Sequence, residues 1–502
     1  MAQAGSDVAE LRAELTEARA CLSERDHAMV LLAQENAALR EQDAALSAKL
    51  VALVDRVAEL ERRLGQTPRN SDKPPSSEGY EKPAPWSRRE RTGRRSGGQP
   101  GHEGKTLRQV QTPDERVRHS PSACGGCGSS LAGAPVVSTE TRQVFELPEI
   151  ELRVIEHALE HRRCGCGTVT MAAAPAGVSA PAQYGPGVRA FGTYLLAAQH
   201  LPLARTAELL TELLGAPISQ GSLAGWYVDA AAGLDTVDAV LRDGLTCAAV
   251  LGADETGIRV DGALAWVHAA RTDTLTRYTV SGKRGVEAMI EAGVLAGLSP
   301  DTVLVTDFWA PYWTFNLTHA VCGAHLGREL VSAAEVAGQT DWADGLDRLL
   351  IEMNRTATAA RELSADGLAA TLLQTYRDRY CGLITAGWAA NPDHHPGGRG
   401  KSKRPKHVNL LDRLDTHRDE VLRYAADLRV PFTNNGSEQD IRPLKVRMKV
   451  AGCLRTMTGA QAFCRLRSYL STARKQGQST FAALRMLHDG NPWMPAIAGR
   501  TS

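Results

Sequence analysis

Two stretches of the sequence decide the fold: TCAAVLGADET at residues 246–256 and VLVTD at residues 303–307. Each contains a short run of strand-forming apolar residues that leads to an aspartate, Asp254 in the first and Asp307 in the second. A strand that ends in this way delivers its carboxylate to the rim of a β-sheet. The two stretches therefore predict a sheet with two acidic side chains at its edge.

The segments between these aspartates predict how the sheet is built. After the first strand, the pattern predicts a hairpin turn at Asp261-Gly262, strands over 263–270 and 277–281, a helix over 285–292, a fourth strand over 302–306 and a short strand over 319–322. Three antiparallel strands followed by alternating helix and strand are typical of a ribonuclease-H-like α/β fold. In that topology the first and fourth strands are neighbours, so Asp254 and Asp307 would meet.

A third acidic point stands in the segment NNGSEQDIRP at residues 434–443. The segment predicts the start of a helix in which only one acid faces the site, and we favour Glu438 over Asp440. Arg442 shares the helical face of Glu438, and Lys445 adds a cation one turn further along, suited to a DNA phosphate. The alternative for Arg442 and Lys445 is an ordinary role in surface ion pairs.

Three carboxylates brought together cannot all stay ionised without a compensating charge, and hard divalent cations prefer oxygen ligands. The pattern therefore predicts a two-metal phosphoryl-transfer site that acts on a nucleic-acid backbone. The alternative for either aspartate is a loop cap at a strand end. Glu255 points to the other face of an extended strand and is a poorer ligand candidate.

The composition narrows the class of protein. The chain has 502 residues, enough for several domains, and no apolar run long enough to span a bilayer. Its N-terminus lacks the basic start and apolar core of a secretory signal. The formal net charge of +1 hides basic clusters at 88–95, 399–413 and 442–475, and such clusters can bind polyanions.

Residues 8–64 carry a heptad pattern with Asn36 on an a position and a d row consisting of Leu32, Leu39, Leu46, Leu53 and Leu60. A polar residue at a favours two parallel strands in a fixed register, although Arg25 and Asp43 interrupt the seam. We predict a coiled coil over 1–66 that forms a homodimer. The alternative is a long helix that packs on its own protein.

The next two segments predict a linker and a metal site. Residues 67–118 read as a basic flexible linker, which is either solvated or ordered by phosphates through Arg88, Arg89, Arg91, Arg94 and Arg95. Residues 119–170 contain two cysteine pairs around a strand-rich stretch at 144–159. The pairs predict a structural four-thiolate zinc ribbon whose ligands are Cys124, Cys127, Cys164 and Cys166. Free thiols are the alternative, with His119, His157 and His161 as spare ligand candidates.

The remaining segments complete the chain. Residues 171–245 predict a helical module with helices over 188–200, 203–214 and 219–232, either a helix-turn-helix that enters a major groove or a packing connector.

Between the first part of the core (246–332) and its last part (431–490) lies a helical insertion over 333–430. The insertion contains Trp342, Trp388 and a basic loop at 391–407, which we expect to line DNA or a partner subunit. Residues 450–475 predict a strongly basic helix, and 491–502 a tail.

The motifs together resemble the insertion-sequence-66 family of bacterial DDE transposases. The resemblance rests on ADET at 253–256, TDxxxxY at 306–312, CGAH at 322–325 and NNxxExxIR at 434–442. The N-terminal zipper, the linker motifs and the cysteine pairs occur in the family's order, so the resemblance covers nearly the whole chain. The C-x-C spacing of the second cysteine pair departs from the usual knuckle.

The resemblance implies that Asp254, Asp307 and Glu438 are a catalytic triad that binds two Mg²⁺ ions, with Mn²⁺ as a substitute. It implies cleavage and strand transfer of double-stranded DNA at terminal inverted repeats and target sites, with His325 and Arg328 as further candidate DNA contacts. It also implies a cytoplasmic, nucleoid-associated protein, with accessory proteins of the same element as candidate partners. The alternatives are a non-catalytic DNA-binding regulator and a ribonuclease-H-like nuclease that does not join DNA.

Overall fold

The structure is a computed structural model that describes residues 2–64, 106–392 and 404–497. The predicted basic arm at 88–95 lies outside the described residues, as does most of the basic loop at 391–407. The chain divides into two compact units. The first unit comprises residues 1–83 and 322–428, and the second unit comprises residues 84–321 and 429–502.

A single helix of 63 residues, α1 (Ala2–Leu64), opens the first unit. No glycine or proline interrupts residues 8–64, which allows the helix to continue over this length. The leucines of the heptad rows are exposed in the single chain, for example Leu39 at 58% and Leu46 at 64%. No helix among the described residues is both long and apolar enough to cross a membrane.

The cysteine-containing segment has little regular structure. Strands β1 (His161–Arg163) and β2 (Val169–Met171) form a short antiparallel pair. The prediction of strands over 144–159 is wrong. These residues form no strand, and their apolar side chains, such as Val144 and Val154, are exposed. A strand needs a neighbour for its backbone hydrogen bonds, and no described strand pairs with this stretch.

Four helices precede the sheet of the second unit: α2 (Pro186–Ala197), α3 (Leu203–Leu214), α4 (Gln220–Ala232) and α5 (Asp235–Thr246). The first three occupy the segments in which the apolar periodicity predicted helices. Helix α3 ends at Gly215, whose φ of 62° is left-handed, and α4 begins after Ser219, whose hydroxyl accepts a hydrogen bond from the Ser222 amide.

Residues 250–321 form a five-stranded mixed sheet. Its elements are β3 (Val250–Val260), β4 (Ala263–Arg271), β5 (Thr276–Ser281), helix α6 (Val286–Glu291), β6 (Val303–Thr306) and β7 (Thr318–Val321). The strand order is β5-β4-β3-β6-β7. The β5-β4-β3 pairs are antiparallel and the β3-β6-β7 pairs are parallel. The first and fourth strands of the sheet are therefore neighbours, as the sequence predicted.

The first strand of the sheet is longer than predicted. Asp254 does not end it, because β3 continues to Val260 and pairs with β4 from Gly252 to Val260. The turn at Asp261-Gly262 makes this possible, since both residues have positive φ (50° and 73°), as a tight hairpin turn requires. Pairing with β6, in contrast, stops at Gly252. Asp254 thus lies just beyond the end of the parallel half of the sheet.

The first unit contains the helices of the insertion: α7 (Gly323–Ala337), α8 (Thr340–Glu362), α9 (Ala370–Ala389), α10 (Lys406–Thr416) and α11 (Arg418–Ala426). Trp342 and Trp388 are 1% and 8% exposed, so both belong to the core of this unit. The Trp388 indole donates a hydrogen bond to Asp415, which joins α9 to α10. These tryptophans are therefore packing residues and do not line a surface that could bind DNA.

The chain returns to the second unit with α12 (Asn435–Ala451), α13 (Met457–Lys475) and α14 (Thr480–His488). Ile441 and Leu444 of α12 pack with Ile258 and Val260 of β3 in one core, which also contains Phe463 of α13. Leu251 and Ala253 of β3 belong to a second core, together with buried residues of α5, α13 and α14. Alternating side chains of β3 thus face different cores.

Candidate active site

Asp254 lies in β3 two residues after Gly252, the last residue that pairs with β6. Its side chain is surrounded by protein on most sides. Burial, together with the neighbouring carboxylates of Glu255, Asp307 and Glu438, raises the pKa of Asp254 to about 7, and burial is the largest cause. The predicted triad members therefore lie close enough to Asp254 to act on its charge.

Asp307 follows the last residue of β6, on the strand next to β3. Its Oδ1 atom accepts a hydrogen bond of 3.0 Å from the Trp309 amide, which fixes the carboxylate at the start of the turn after the strand. Asp307 thus makes the contact that a loop cap would make, which was the alternative role for this residue. That contact occupies one carboxylate oxygen with a single amide, so the cap and a metal ligand are compatible roles.

Glu438 lies in the first turn of α12, and its motif holds this helix end against β3. The Asn434 side chain donates a hydrogen bond of 2.7 Å to the Ala253 carbonyl, and the Ser437 hydroxyl donates one of 2.6 Å to Asn434 Oδ1. Both side chains are buried. A Cβ atom at Gly252 would lie 2.7 Å from the Ser437 oxygen, so only glycine permits this approach.

Asp440, the acid that competed with Glu438 in the sequence, is used to dock α12. Its Oδ2 atom lies 2.8 Å from Lys475 Nζ and 3.2 Å from Arg271 Nε, and it accepts a hydrogen bond from the Thr276 hydroxyl. The side chain is 14% exposed. Since two cations and a hydroxyl occupy Asp440, Glu438 remains the acid of this segment that acts on Asp254.

Glu255 has partners unlike those of Asp254, as expected for the next residue of an extended strand. Its carboxylate is 3% exposed and lies 2.6 Å from the Arg284 guanidinium. The Tyr312 hydroxyl donates to its other oxygen. Arg284 in turn lies 4.6 Å from the Trp266 ring centroid and 4.0 Å from that of Trp309. This set ties β3 to the segment that follows Asp307, and it gives a structural role to the tyrosine of the TDxxxxY motif.

Sequence reasoning missed the residues that support the acids. Asn434, Ser437 and Gly252 were visible in the sequence, but their contact joins positions almost two hundred residues apart. The one available signal was the pair of asparagines Asn434-Asn435 before a helix start. A helix cap needs only one such side chain, so the second could have indicated a further contact. The role of Arg284 could not be predicted from the sequence, because a single arginine in a loop is usually a solvent-exposed residue.

The donor set of the three acids suits a hard divalent cation, since it offers only carboxylate oxygens. Within the described residues, no three histidine, cysteine, aspartate or glutamate side chains are already arranged around one metal position. Carboxylates without a cation between them repel one another, and the pKa of Asp254 is raised mainly by burial and in part by that repulsion. A cation would relieve it, so the residues fit a divalent metal.

Arg442 and Lys445 lie on the exposed side of α12, at four and seven positions after Glu438. Neither residue forms an ion pair with any residue in the described ranges, so the alternative of surface ion pairs finds no support there. Three of the basic residues predicted to lie on a helix over 450–475 are buried or form ion pairs. Arg465 pairs with Asp235, Arg467 is 4% exposed and Lys475 pairs with Asp440. These side chains serve packing, which a count of basic residues does not reveal.

His325 and Arg328, the other candidate DNA contacts, lie on α7 in the first unit, and both are partly buried. In the second unit, α4 buries Leu223, Ala230 and Ala231, and it packs against α2 and α13. No basic residue lies on α4. This arrangement favours the packing connector over a recognition helix.

The two cysteine pairs occupy two turns of similar build. The Cys124 carbonyl accepts from the Gly128 amide, and the Cys164 carbonyl accepts from the Gly167 amide, each at 2.9 Å. Both glycines have positive φ, and each is followed by a hydroxyl residue, Ser129 or Thr168, next to the second thiol. Hydrogen bonding with the side chain and backbone of Ser129 lowers the pKa of Cys127 to about 7, and Thr168 does the same for Cys166, which favours the thiolate that zinc binds.

Three family models match parts of the chain. The model of the transposase IS66 family matches residues 181–462, which contain Asp254, Asp307 and Glu438. The model of the zinc-finger binding domain of transposase IS66 matches residues 121–167, and a family of unknown function (DUF6444) matches residues 4–108. Since the transposase match spans more than half of the chain, the chain belongs to the IS66 family of transposases.

A curated relative is the uncharacterized protein y4jO of Sinorhizobium fredii (strain NBRC 101917 / NGR234). The two chains are 25% identical over 224 residues, which cover 43% of this chain and 64% of that protein. The match thus spans less than two thirds of the relative's length.

Proposed function

We propose that this protein is a DNA transposase that cleaves element ends and joins them to target DNA through Asp254, Asp307 and Glu438. The observation that carries the proposal is the docking of the Glu438 helix onto β3 beside Asp254, through Asn434 and Ser437. That docking brings a third carboxylate to the edge where β3 and β6 already supply two. Family membership supports the same reaction class.

The strand order supports a ribonuclease-H-like core for this reaction. Three antiparallel strands, two further parallel strands and a helix that carries the last acid provide one carboxylate each from β3, β6 and α12. The residues Asp254, Asp307 and Glu438 would hold two Mg²⁺ ions, for which Mn²⁺ can substitute. Bound there, the ions would activate the attacking hydroxyl and stabilise the leaving oxygen. The Glu255–Arg284 pair and Tyr312 keep the strand and the 307–312 segment in a fixed relation.

Contacts to double-stranded DNA are assigned to Arg442 and Lys445, whose exposed side chains follow Glu438 on α12. Cations at this position would neutralise backbone phosphates next to the scissile bond. We assign His325 and Arg328 to the same role on the strength of the family motif alone. The turns at Cys124–Cys127 and Cys164–Cys166 would share one structural Zn²⁺, consistent with the zinc-finger match.

The long helix α1 would pair two copies of the chain through its exposed heptad leucines. Two copies are suited to a reaction that handles two element ends. Accessory proteins of the same element are candidate partners, and the protein would work on bacterial nucleoid DNA in the cytoplasm.

The proposal is tested by nicking of a labelled duplex that carries one terminal repeat of the element, with Mg²⁺ present and absent. Asp307→Asn is expected to lower Mg²⁺-dependent nicking by at least about 1,000-fold while DNA binding is retained, because the change removes charge and leaves shape. Asp301→Asn, an exposed aspartate in the turn before β6, is the matched control. Wild-type nicking by Asp307→Asn would contradict the assignment.

A further inference from the structure

Two arginines and a histidine gather around Phe463 in the second unit. The Arg447 guanidinium carbon lies 5.3 Å from the Phe463 ring centroid, and the His200 ring lies 6.1 Å from it. Arg467 follows Phe463 by four residues on α13, so it shares the same helical face. Tyr227 of α4 packs against the same core. The group thus joins α12 and α13 to the helices α2 to α4.

Two polar atoms of this group are buried and lack hydrogen-bond partners, whereas Arg447 is partly buried and donates a hydrogen bond of 3.1 Å to the Gly452 carbonyl. Arg467 is 4% exposed and His200 is 6% exposed. Arg467 Nε and His200 Nδ1 have no hydrogen-bond partner among the described residues. A buried donor without a partner costs about 1–3 kcal/mol, and more when the group is charged. Such atoms at one place indicate a missing acceptor.

The group also lacks a counter-charge. No described carboxylate forms an ion pair with Arg447 or Arg467. The nearest acid that acts on Arg467 is Asp440, which is already bound by Arg271 and Lys475. Burial lowers the pKa of both arginines, which means that the protein opposes their charge at this place. Buried cations are normally paired, so the absence of an ion pair at Arg467, which is 4% exposed, is unusual.

The backbone of His200 supports the same conclusion. His200 lies between α2 and α3 with a φ of 61°, a left-handed conformation that a residue with a Cβ adopts at a cost. The polar His200 ring lies in the core next to Phe463. An apolar side chain at this position would leave no nitrogen without a hydrogen-bond partner. The strained backbone and the orphan nitrogen therefore occur in one residue.

We propose that Arg447, Arg467 and His200 form a binding site for one phosphate-sized oxyanion. Guanidinium groups donate in pairs to such an anion, and the His200 Nδ1–H would add a third direction. The occupant is a free inorganic ion, since the burial of Arg467 and His200 leaves no room for a DNA strand to approach them. Bound there, the anion would fasten the α2–α4 module to α12, the helix that carries Glu438.

Thermal unfolding of the full-length, zinc-loaded protein tests this site. Inorganic phosphate at low millimolar concentration replaces chloride at constant ionic strength, so that general salt effects stay small. The midpoint of wild-type protein is expected to rise and saturate, by about 5 °C at a hundredfold excess over the dissociation constant. Arg467→Gln is expected to abolish the rise, and so is Arg447→Gln, whose less buried position makes it the safer variant to fold.

The double variant Arg442→Gln/Lys445→Gln is the control, because it removes two exposed cations of α12 and keeps the buried group. It is expected to respond to phosphate as wild type does. A wild-type midpoint that does not change with phosphate would overturn the proposal. An equal rise in wild type and in Arg447→Gln would overturn it as well. Neither result depends on DNA cleavage, so the proposed function is tested separately.

Discussion

At the scale of single residues, the active site depends on one close approach between distant parts of the chain. Gly252 of β3 meets Ser437 and Asn434 of the α12 segment, and Asn434 donates to the carbonyl of Ala253, next to Asp254. The position of Glu438 relative to Asp254 therefore depends on the absence of a Cβ atom at Gly252. No residue of this contact is an acid, yet the contact determines where the third acid lies.

Gly252→Ala is expected to disturb this contact, because the new Cβ would lie 2.7 Å from Ser437 Oγ and 2.8 Å from Asn434 Oδ1. The helix must then move away from the strand. We expect a loss of about 1–3 kcal/mol in the free energy of unfolding and roughly a 100-fold loss of DNA nicking. Gly282→Ala is the control, since a Cβ there meets no atom within 4 Å. Equal nicking by the two variants would contradict the account.

At the scale of elements, α12 has two different sides. Ile441 and Leu444 face the core of the second unit, while Arg442 and Lys445 face solvent. Helix α13 is equally basic in sequence, but Arg467 is buried, Arg465 and Lys475 form ion pairs, and Arg474 is its exposed cation. Among the described helices, α12 is the one that combines a candidate triad acid with exposed cations.

Arg442→Gln and Lys445→Gln are each expected to weaken DNA binding at all sequences and to reduce the slope of log affinity against log salt by about 1. The reason is that each side chain would neutralise one phosphate. Fluorescence anisotropy at several salt concentrations measures both effects. Arg485→Gln on α14, another exposed arginine of the same unit, is expected to leave the slope unchanged. A normal slope in the α12 variants would exclude them as phosphate contacts.

The elements also indicate how far the sequence could predict the structure. The strands and the hairpin at Asp261-Gly262 followed from apolar runs and one turn signal, because these patterns act locally. The adjacency of the first and fourth strands followed from the topology that these elements suggested. The strands expected at 144–159 failed, since a strand exists only with a neighbour, and the sequence does not say whether one is present. The Arg284 and Asp440 contacts could not be predicted either, because they depend on how separate elements meet in space.

At the scale of the whole molecule, the exposed leucines of α1 are the basis for the proposed homodimer. A helix with Leu39, Leu46 and Leu53 all more than half exposed keeps a long apolar row in water. Asn36 donates its side-chain amide to the Leu32 carbonyl within the single helix. In a parallel pair it would meet its own copy, which fixes the register.

Leu39→Glu/Leu46→Glu is expected to convert a dimer into a monomer, because two like charges would face each other at d positions. Light scattering with size exclusion measures the mass directly. Ala48→Glu, on the outer side of the same heptads, is the control and is expected to remain a dimer. A monomeric wild type, or a dimeric leucine variant, would exclude α1 as the dimer interface.

The central claim is that Asp307 and its two companion acids hold catalytic metal ions directly, and a change of metal preference tests it most directly. Mg²⁺ prefers oxygen ligands strongly, whereas Mn²⁺ tolerates a thiolate better. Nicking of the element end by Asp307→Cys is therefore expected to be absent in Mg²⁺ and partly restored in Mn²⁺, while Asp307→Asn stays inactive in both. Wild-type nicking by Asp307→Cys in Mg²⁺ would contradict the claim.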